Sequence, residues 1–170
     1  QWRPGAVWVA DAHGDVVYTA PDRELVAPLV AELIDQLNEP EGNVFVRAAM
    51  AHLNLVLIHP FSDGNGRMAR CVQTLALAGA GHLSPEFSSI EEYLGRNTDS
   101  YYRVLTEVAR GHWSPERSAH DWIRYCLTAH HRQAQTVLSR LSEAEELWLR
   151  CEELVARFGL PARSIDALCD

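Results

Sequence analysis

The sequence predicts an all-α helical bundle with one short β-hairpin at its N-terminal end. Three observations predict it. Apolar residues recur at helical spacing along most of the chain. β-prone runs stand at residues 7–10 and 16–19, parted by a Gly-containing turn at residues 11–15. Gly and Pro stand where the periodic stretches stop.

The elements follow in order. Pro21-Asp22 opens a helix whose stripe is Leu25, Val26, Leu29, Val30, Leu33, Ile34 and Leu37. Asn43 is placed to cap a second helix, 44–58, which is apolar nearly all round and so belongs at the centre of the fold. Pro60 turns His59 out of helical dihedrals and ends it. A third helix runs from about Asn65 to Leu77, with Met68, Cys71, Val72 and Leu75 on its core face, and Gly79 and Gly81 stop it. Ser84-Pro85 starts a short helix, Asn97 another, and Ser118 a longer one with Trp122, Ile123, Cys126 and Leu127 inward. Ser142-Glu-Ala-Glu145 reads as a capping box for a last long helix, with the stripe Leu147, Cys151, Leu154, Val155 and Phe158 and stopped by Gly159 and Pro161. The expected organisation is one domain, 1–170: a hairpin at about 6–20, a core at about 22–141 and a C-terminal helix at about 142–159. Because residue 1 is Gln, a fragment of a longer protein is expected.

Composition removes several functions. The net charge is −8, against a general nucleic-acid binder, which needs a basic stripe. All fifteen basic residues are Arg, which rules out a P-loop lysine and Schiff-base chemistry. The most apolar stretch, 44–58, carries Arg47, His52 and Asn54 and is too short to span a bilayer. The four cysteines, 71, 126, 151 and 169, show no C-x-x-C spacing and read as buried reduced thiols, consistent with a cytoplasmic protein. The His spacings suggest no zinc site. His52, in an apolar helix, reads as a hydrogen-bonded core histidine.

The chemistry concentrates in residues 59–70, His-Pro-Phe-Ser-Asp-Gly-Asn-Gly-Arg-Met-Ala-Arg. Two glycines flank Asn65 at a helix start, where unpaired N–H groups and the helix dipole favour an anion. Arg67 and Arg70, three apart, share a helix face and can fork onto phosphate oxygens. Asp63 suits a Mg²⁺ that keeps phosphate and water ligands. His59 is the group there that accepts a proton near neutral pH. A polyphosphate cradle, a metal anchor and a base point to phosphoryl or nucleotidyl transfer onto a hydroxyl.

This string resembles the signature H-x-F-x-[DE]-G-N-G-R-x-x-R of the Fic domain family, matching every defined position. The resemblance extends over roughly residues 7–138, including the hairpin, the helix entering the motif and the helix with Tyr101 and Tyr102. It implies a protein adenylyltransferase that moves AMP from ATP to a Tyr, Thr or Ser hydroxyl of a target and releases pyrophosphate. His59 is then the base. Asp63 holds Mg²⁺. Gly64, Asn65 and Gly66 line the anion hole, with Asn65 near the α-phosphate. Arg67 takes the β-phosphate and Arg70 the γ-phosphate. Tyr101 and Tyr102 border the nucleotide. Phe61 points into the core and pins the loop. The hairpin becomes a flap that clamps the target through Val9, Ala10, Asp11, Val16 and Val17. Gly66 stands where the family's kinase branch carries Lys, which favours AMP transfer. The alternatives are a deAMPylase, phosphorylation or UMPylation on the same scaffold, or a non-catalytic nucleotide-binding module.

The resemblance also implies an inhibitory helix of pattern [ST]-x-x-x-E-[GN] whose Glu pairs with Arg70. Ser88…Glu92, Ser139…Glu143 and Ser142…Glu146 match only its first five positions. That helix is therefore expected upstream in cis, in a separate antitoxin chain, or nowhere. A homo-oligomer is a further expectation, and neither nucleic acid nor membrane is an expected partner.

Overall fold

The computed structural model describes residues 1–10, 13–39, 41–81 and 89–169. Helix accounts for 68% of it, beside one small sheet, which is the all-α class the sequence predicts. The described elements are β1 (Trp8–Ala10), β2 (Val16–Thr19), α1 (Arg23–Asn38), α2 (Val44–Ile58), α3 (Asn65–Gly79), α4 (Glu91–Arg96), α5 (Thr98–Ala109), β3 (Gly111–His112), α6 (His120–Phe158) and α7 (Ser164–Cys169). The helix expected at Ser84-Pro85 starts outside the described residues. The chain forms two compact units, Gln1–His131 and Arg132–Asp170.

In the first unit, α2 supplies buried residues to three of the four apolar clusters. Val44 and Ala48 join Leu77; Ala49 and Leu53 join Tyr101, Leu105 and Trp122; Ala51, Leu55 and Ile58 join Val26, Leu33 and Ala69. Each buried aliphatic or aromatic side chain here contributes about 1.5–3 kcal/mol. The central place expected for this helix is thus observed, and its rigidity is what fixes His59 at its end. Asn43 caps it as expected, its Oδ1 accepting from the N–H groups of Phe45 at 2.9 Å and Val46 at 3.4 Å.

The hairpin forms with Trp8 opposite Thr19 and Val9 opposite Tyr18. The sequence reading lacks the third strand: β3 pairs parallel with β2, Gly111 beside Tyr18, giving the order β1-β2-β3. Two residues carry no periodicity, so β3 has no local signal. Tyr18 is buried, and its hydroxyl donates to the Leu57 carbonyl at 2.6 Å, tying the hairpin to the last turn of α2.

Several expectations need correction, and Leu127, Leu147, Leu154 and Phe158, expected on apolar faces, are exposed. The α3 core face is Ala69, Gln73 and Leu77, flanked by Val72 and Ala76; Met68, Cys71 and Leu75 are exposed. The reason is Gln73: its amide is satisfied internally by two histidines, so a polar residue takes a core position and rotates the face away from the apolar count. Leu25 and Ile34 of α1 are likewise exposed at the edges of the stripe that buries Val26 and Leu33. Finally, no helix begins at Ser142. Residues 120–158 contain neither Gly nor Pro, so nothing stops the earlier helix, and the capping-box residues lie within continuous α6. Cys126 and Cys151 are buried free thiols as expected, whereas Cys71 is exposed.

Candidate active site

The site is built on one backbone reversal. Leu55 accepts the His59 N–H at 3.1 Å as α2 ends, and His59 stands at φ 52, ψ 57. That left-handed conformation is costly for a residue with a Cβ, by about 1–2 kcal/mol, and it persists only where surrounding bonds hold it. Arg3 supplies them. It is fully buried, with Nε donating to the His59 carbonyl at 3.0 Å and its own N–H to the Pro60 carbonyl at 2.8 Å. Its two terminal nitrogens donate to the carbonyls of Gly5 and Pro21. The N-terminal segment is thereby stapled to the α2 end. Sequence reasoning misses Arg3, because a lone Arg far from the motif carries no spacing signal.

The side chain of His59 is oriented from behind. Nδ1 lies 3.1 Å from the Val56 carbonyl. A carbonyl only accepts, so Nδ1 carries the proton and Nε2 keeps its lone pair. Burial pushes the His59 pKa below its usual value, opposed by the Val56 bond and aided by the Arg3 charge. The imidazole is therefore neutral at pH 7, the protonation state of a base.

The loop after His59 is braced by Asn65 rather than by Phe61. Asn65 is 3% exposed; its Oδ1 accepts from the Phe61 N–H at 2.9 Å and its Nδ2 donates to the Phe61 carbonyl at 2.8 Å. Both ends of the amide are used on this pair, so what Asn65 offers an anion is its backbone N–H at the start of α3. Phe61 itself is half-buried against Trp2, with ring centroids 5.7 Å apart, and not in the core. Gly64 caps α3 at φ 81, a conformation glycine adopts without strain.

Arg67 and Arg70 part company. Arg67 is exposed and pairs with the equally exposed Asp63 at 2.8 Å. Arg70 turns inward. Its Nε donates to Glu91 Oε1 at 2.6 Å, and it lines the same cavity as Tyr101. A Cβ on Gly66 would stand 3.4 Å from Arg70 Nη1, so this glycine leaves the guanidinium its place along the helix.

A cavity of about 210 Å³ joins these parts. Its walls are Val9 and Val17 of the hairpin, Val56, Leu57 and His59 of α2, Gly66 and Arg70 of α3, and Tyr101, Tyr102 and Leu105 of α5. The two tyrosines differ: Tyr101 is buried and bonded on the inside, while Tyr102 is 62% exposed. Of the expected site residues, His59, Gly66, Arg70, Tyr101, Tyr102, Val9 and Val17 meet at this cavity. Asp63, Gly64, Asn65 and Arg67 form the adjoining loop and helix start. Ala10 and Val16 are exposed on β1 and β2; Asp11 lies outside the described residues. Among the described residues, no three His, Cys, Asp or Glu are grouped to hold a metal ion, and no helix is long and apolar enough to cross a membrane.

The sequence profile of the Fic/DOC family matches residues 3–77, which contain Arg3, the hairpin, α2 and the whole 59–70 loop. Residues 3–77 belong to the Fic/DOC family. Beyond that Fic segment, the chain resembles a Fic family protein of Desulfovibrio desulfuricans in crystal structure, with a TM-score of 0.72 and 26% identity over 96% of this chain and 52% of that one. It is 40% identical over 67 residues to the protein adenylyltransferase fic-1 of Caenorhabditis briggsae, covering 38% of this chain and 13% of that protein. It is 31% identical over 95 residues to a probable protein adenylyltransferase of Aquifex aeolicus, covering 55% and 27% respectively. The chain thus spans a small part of its curated relatives and about half of the crystallised Fic protein.

Proposed function

We propose that this chain is a protein adenylyltransferase that moves AMP from ATP to a hydroxyl side chain of a target protein. The observation that carries the reading is His59: a neutral imidazole, held in a left-handed turn, on the same cavity wall as Gly66 and Arg70. Nε2 of His59 takes the proton of the incoming hydroxyl. The hydroxyl oxygen bonds to the α-phosphorus, the bond from that phosphorus to the bridging oxygen breaks, and pyrophosphate leaves with both electrons. The α3 N-terminus, with the backbone N–H groups of Asn65 and Gly66, receives the charge that builds on the phosphate oxygens. Arg70 binds the terminal phosphates from the cavity wall, and Arg67 binds them from the solvent side once it leaves Asp63. Tyr102 lies against the nucleoside. Val9 and Val17 place the target segment along the hairpin.

Asp63 fits a Mg²⁺ site. Its side chain is 89% exposed, with Oδ2 on Arg67. A hard dication that keeps several waters and phosphate oxygens needs one or two such carboxylates rather than a protein cage. The chemistry it supplies when bound is neutralisation of phosphate charge.

The test uses α-labelled and γ-labelled ATP with candidate target proteins. α-Label on protein that disappears in His59→Ala, with no γ-label, is the expected result. Protein-bound γ-label would replace this reading with a kinase. α-Label that persists in His59→Ala would remove His59 as the base. No transfer to any target, together with release of AMP from modified protein, would make the chain a deAMPylase.

A further inference from the structure

The C-terminal part of α6 lies outside the matched Fic segment and carries a periodicity that the proposed reaction does not use. From residue 134 to residue 158, apolar side chains recur on a strict seven-residue repeat. One position of the repeat holds Ala134, Leu141, Trp148 and Val155. The position three residues later holds Val137, Ala144, Cys151 and Phe158. A repeat of this kind is the seam of a helix that packs lengthwise against another helix. A straight helix that does not supercoil drifts off such a seam by about 20° per heptad. The opposite face carries Glu143, Glu146, Arg150, Glu153 and Arg157 and belongs to solvent.

The structure closes the C-terminal end of this seam. Cys151 and Val155 are buried, and the chain leaves the helix at Gly159, where the Leu160 N–H returns to the Val155 carbonyl at 3.0 Å. Further up the helix the seam is open. Leu141 is 56% exposed and Trp148 43%; Ala134 and Ala144 are exposed and Val137 is half-buried. Leu138 and Leu147 flank it and are exposed as well. The open stretch, 134–148, is about 22 Å long. Its side chains alternate in size. Ala144 stands between Leu141 and Trp148, so two indole rings brought together across the seam meet beside a small layer. The flanking charges select the direction. In a parallel pair of helices, position 140 of one faces position 145 of the other. That sets Arg140 against Glu145 of the second copy, twice by symmetry. In an antiparallel pair like flanks face each other, and Arg140 never meets Glu145.

We propose that residues 134–148 of α6 are a dimer seam that takes the same helix of a second copy of this chain, parallel and in register. The open seam spans only two heptads, so the dimer dissociates on dilution. Sedimentation velocity of the whole chain, from low to high micromolar concentration, is expected to show reversible conversion of monomer to dimer. Leu141→Glu places a charge in the seam at a site that is exposed in the monomer. It is expected to leave a monomer at every concentration, with the helical circular dichroism of dilute protein unchanged. Arg140→Glu and Glu145→Arg are each expected to weaken the dimer on the order of tenfold, and the double variant to restore it. A native chain that stays monomeric throughout, or a dimer that Leu141→Glu leaves intact, would overturn the seam. A dimer that Leu141→Glu abolishes and both charge variants leave unchanged would overturn the parallel register. Oxidative cross-linking reads the register independently, with the linked peptides identified by mass. Ala144→Cys is expected to couple to its own copy far faster than Arg150→Cys on the opposite face, and equal rates would refute the arrangement.

Discussion

Arg70 reaches across 21 residues of sequence to Glu91, its Nε donating to Oε1 at 2.6 Å. The arginine is 24% exposed and the glutamate 54%, so the pair is partly open to solvent. None of the three partial inhibitory-helix patterns supplies this carboxylate. Glu92, which belongs to one of them, pairs with Arg96 instead. A phosphate arriving at Arg70 competes with Glu91 for the same cation. Glu91→Ala is therefore expected to tighten MgATP roughly threefold by calorimetry. A partly exposed pair contributes little to folding, about 0–1 kcal/mol, so the melting temperature should hardly move. Weaker binding in the variant would mean that Glu91 orients Arg70 instead of occupying it.

Arg3 is expected to govern the reactivity of His59 from the opposite side. Arg3→Met leaves three backbone carbonyls without their side-chain donor, one of them on His59, at a cost of about 2–4 kcal/mol in a melting experiment. It also removes a positive charge that lowers the His59 pKa. In the native protein kcat/KM should stay level through neutral pH and fall only below the ordinary histidine range. In the variant the acid limb should move upward and kcat should drop. An acid limb that does not move would show that Arg3 acts on stability alone.

Asn65→Ala should loosen the loop without touching a ligand directly. It breaks both bonds to Phe61 and strands a buried N–H and carbonyl, costing about 2–3 kcal/mol. Asn65→Asp should be no better, since a carboxylate faces the Phe61 carbonyl. Hydrogen exchange of the 59–65 amides is the measurement. Equal protection in wild type and Asn65→Ala would refute the brace.

Acid should unfold the chain earlier than its carboxylates require. His52 has its pKa lowered to about 4 by burial, with the Gln73 bond opposing and the Arg70 charge assisting. The unfolded chain binds its proton near the ordinary value of about 6.5. Between those limits the unfolded state holds more protons, so stability is complete above about pH 6.5 and is lost as pH falls toward 4, by on the order of 3 kcal/mol. Melting temperatures from pH 7.5 to 4.5 test this, with His52→Leu as the comparison. A native curve no steeper than the variant's would remove His52 as the source.

How much of this was legible in the sequence can be seen at particular residues. The apolar run 44–58, its cap at Asn43 and its stop at Pro60 are local signals, and α2 follows them residue for residue. The hairpin is equally local. The loop from His59 to Arg70 is dense enough in special residue types to announce anion chemistry. Local periodicity also placed His52 correctly as a bonded core histidine.

Other features needed the folded chain, because their causes are contacts between distant residues. Arg3 meets His59 at a separation of 56 residues, Tyr101 meets His52 at 49, and Arg70 meets Glu91 at 21. None of these leaves a spacing pattern. Gln73 takes a core position because His52 and His130 satisfy its amide, and that turns the core face of α3. By itself, the sequence determined which residues are candidates for the chemistry and which helices present them. The tertiary structure decided which of them face the cavity, which serve as braces and which protonation states they hold, since hydrogen-bond partners and desolvation are set by neighbours that only folding brings together.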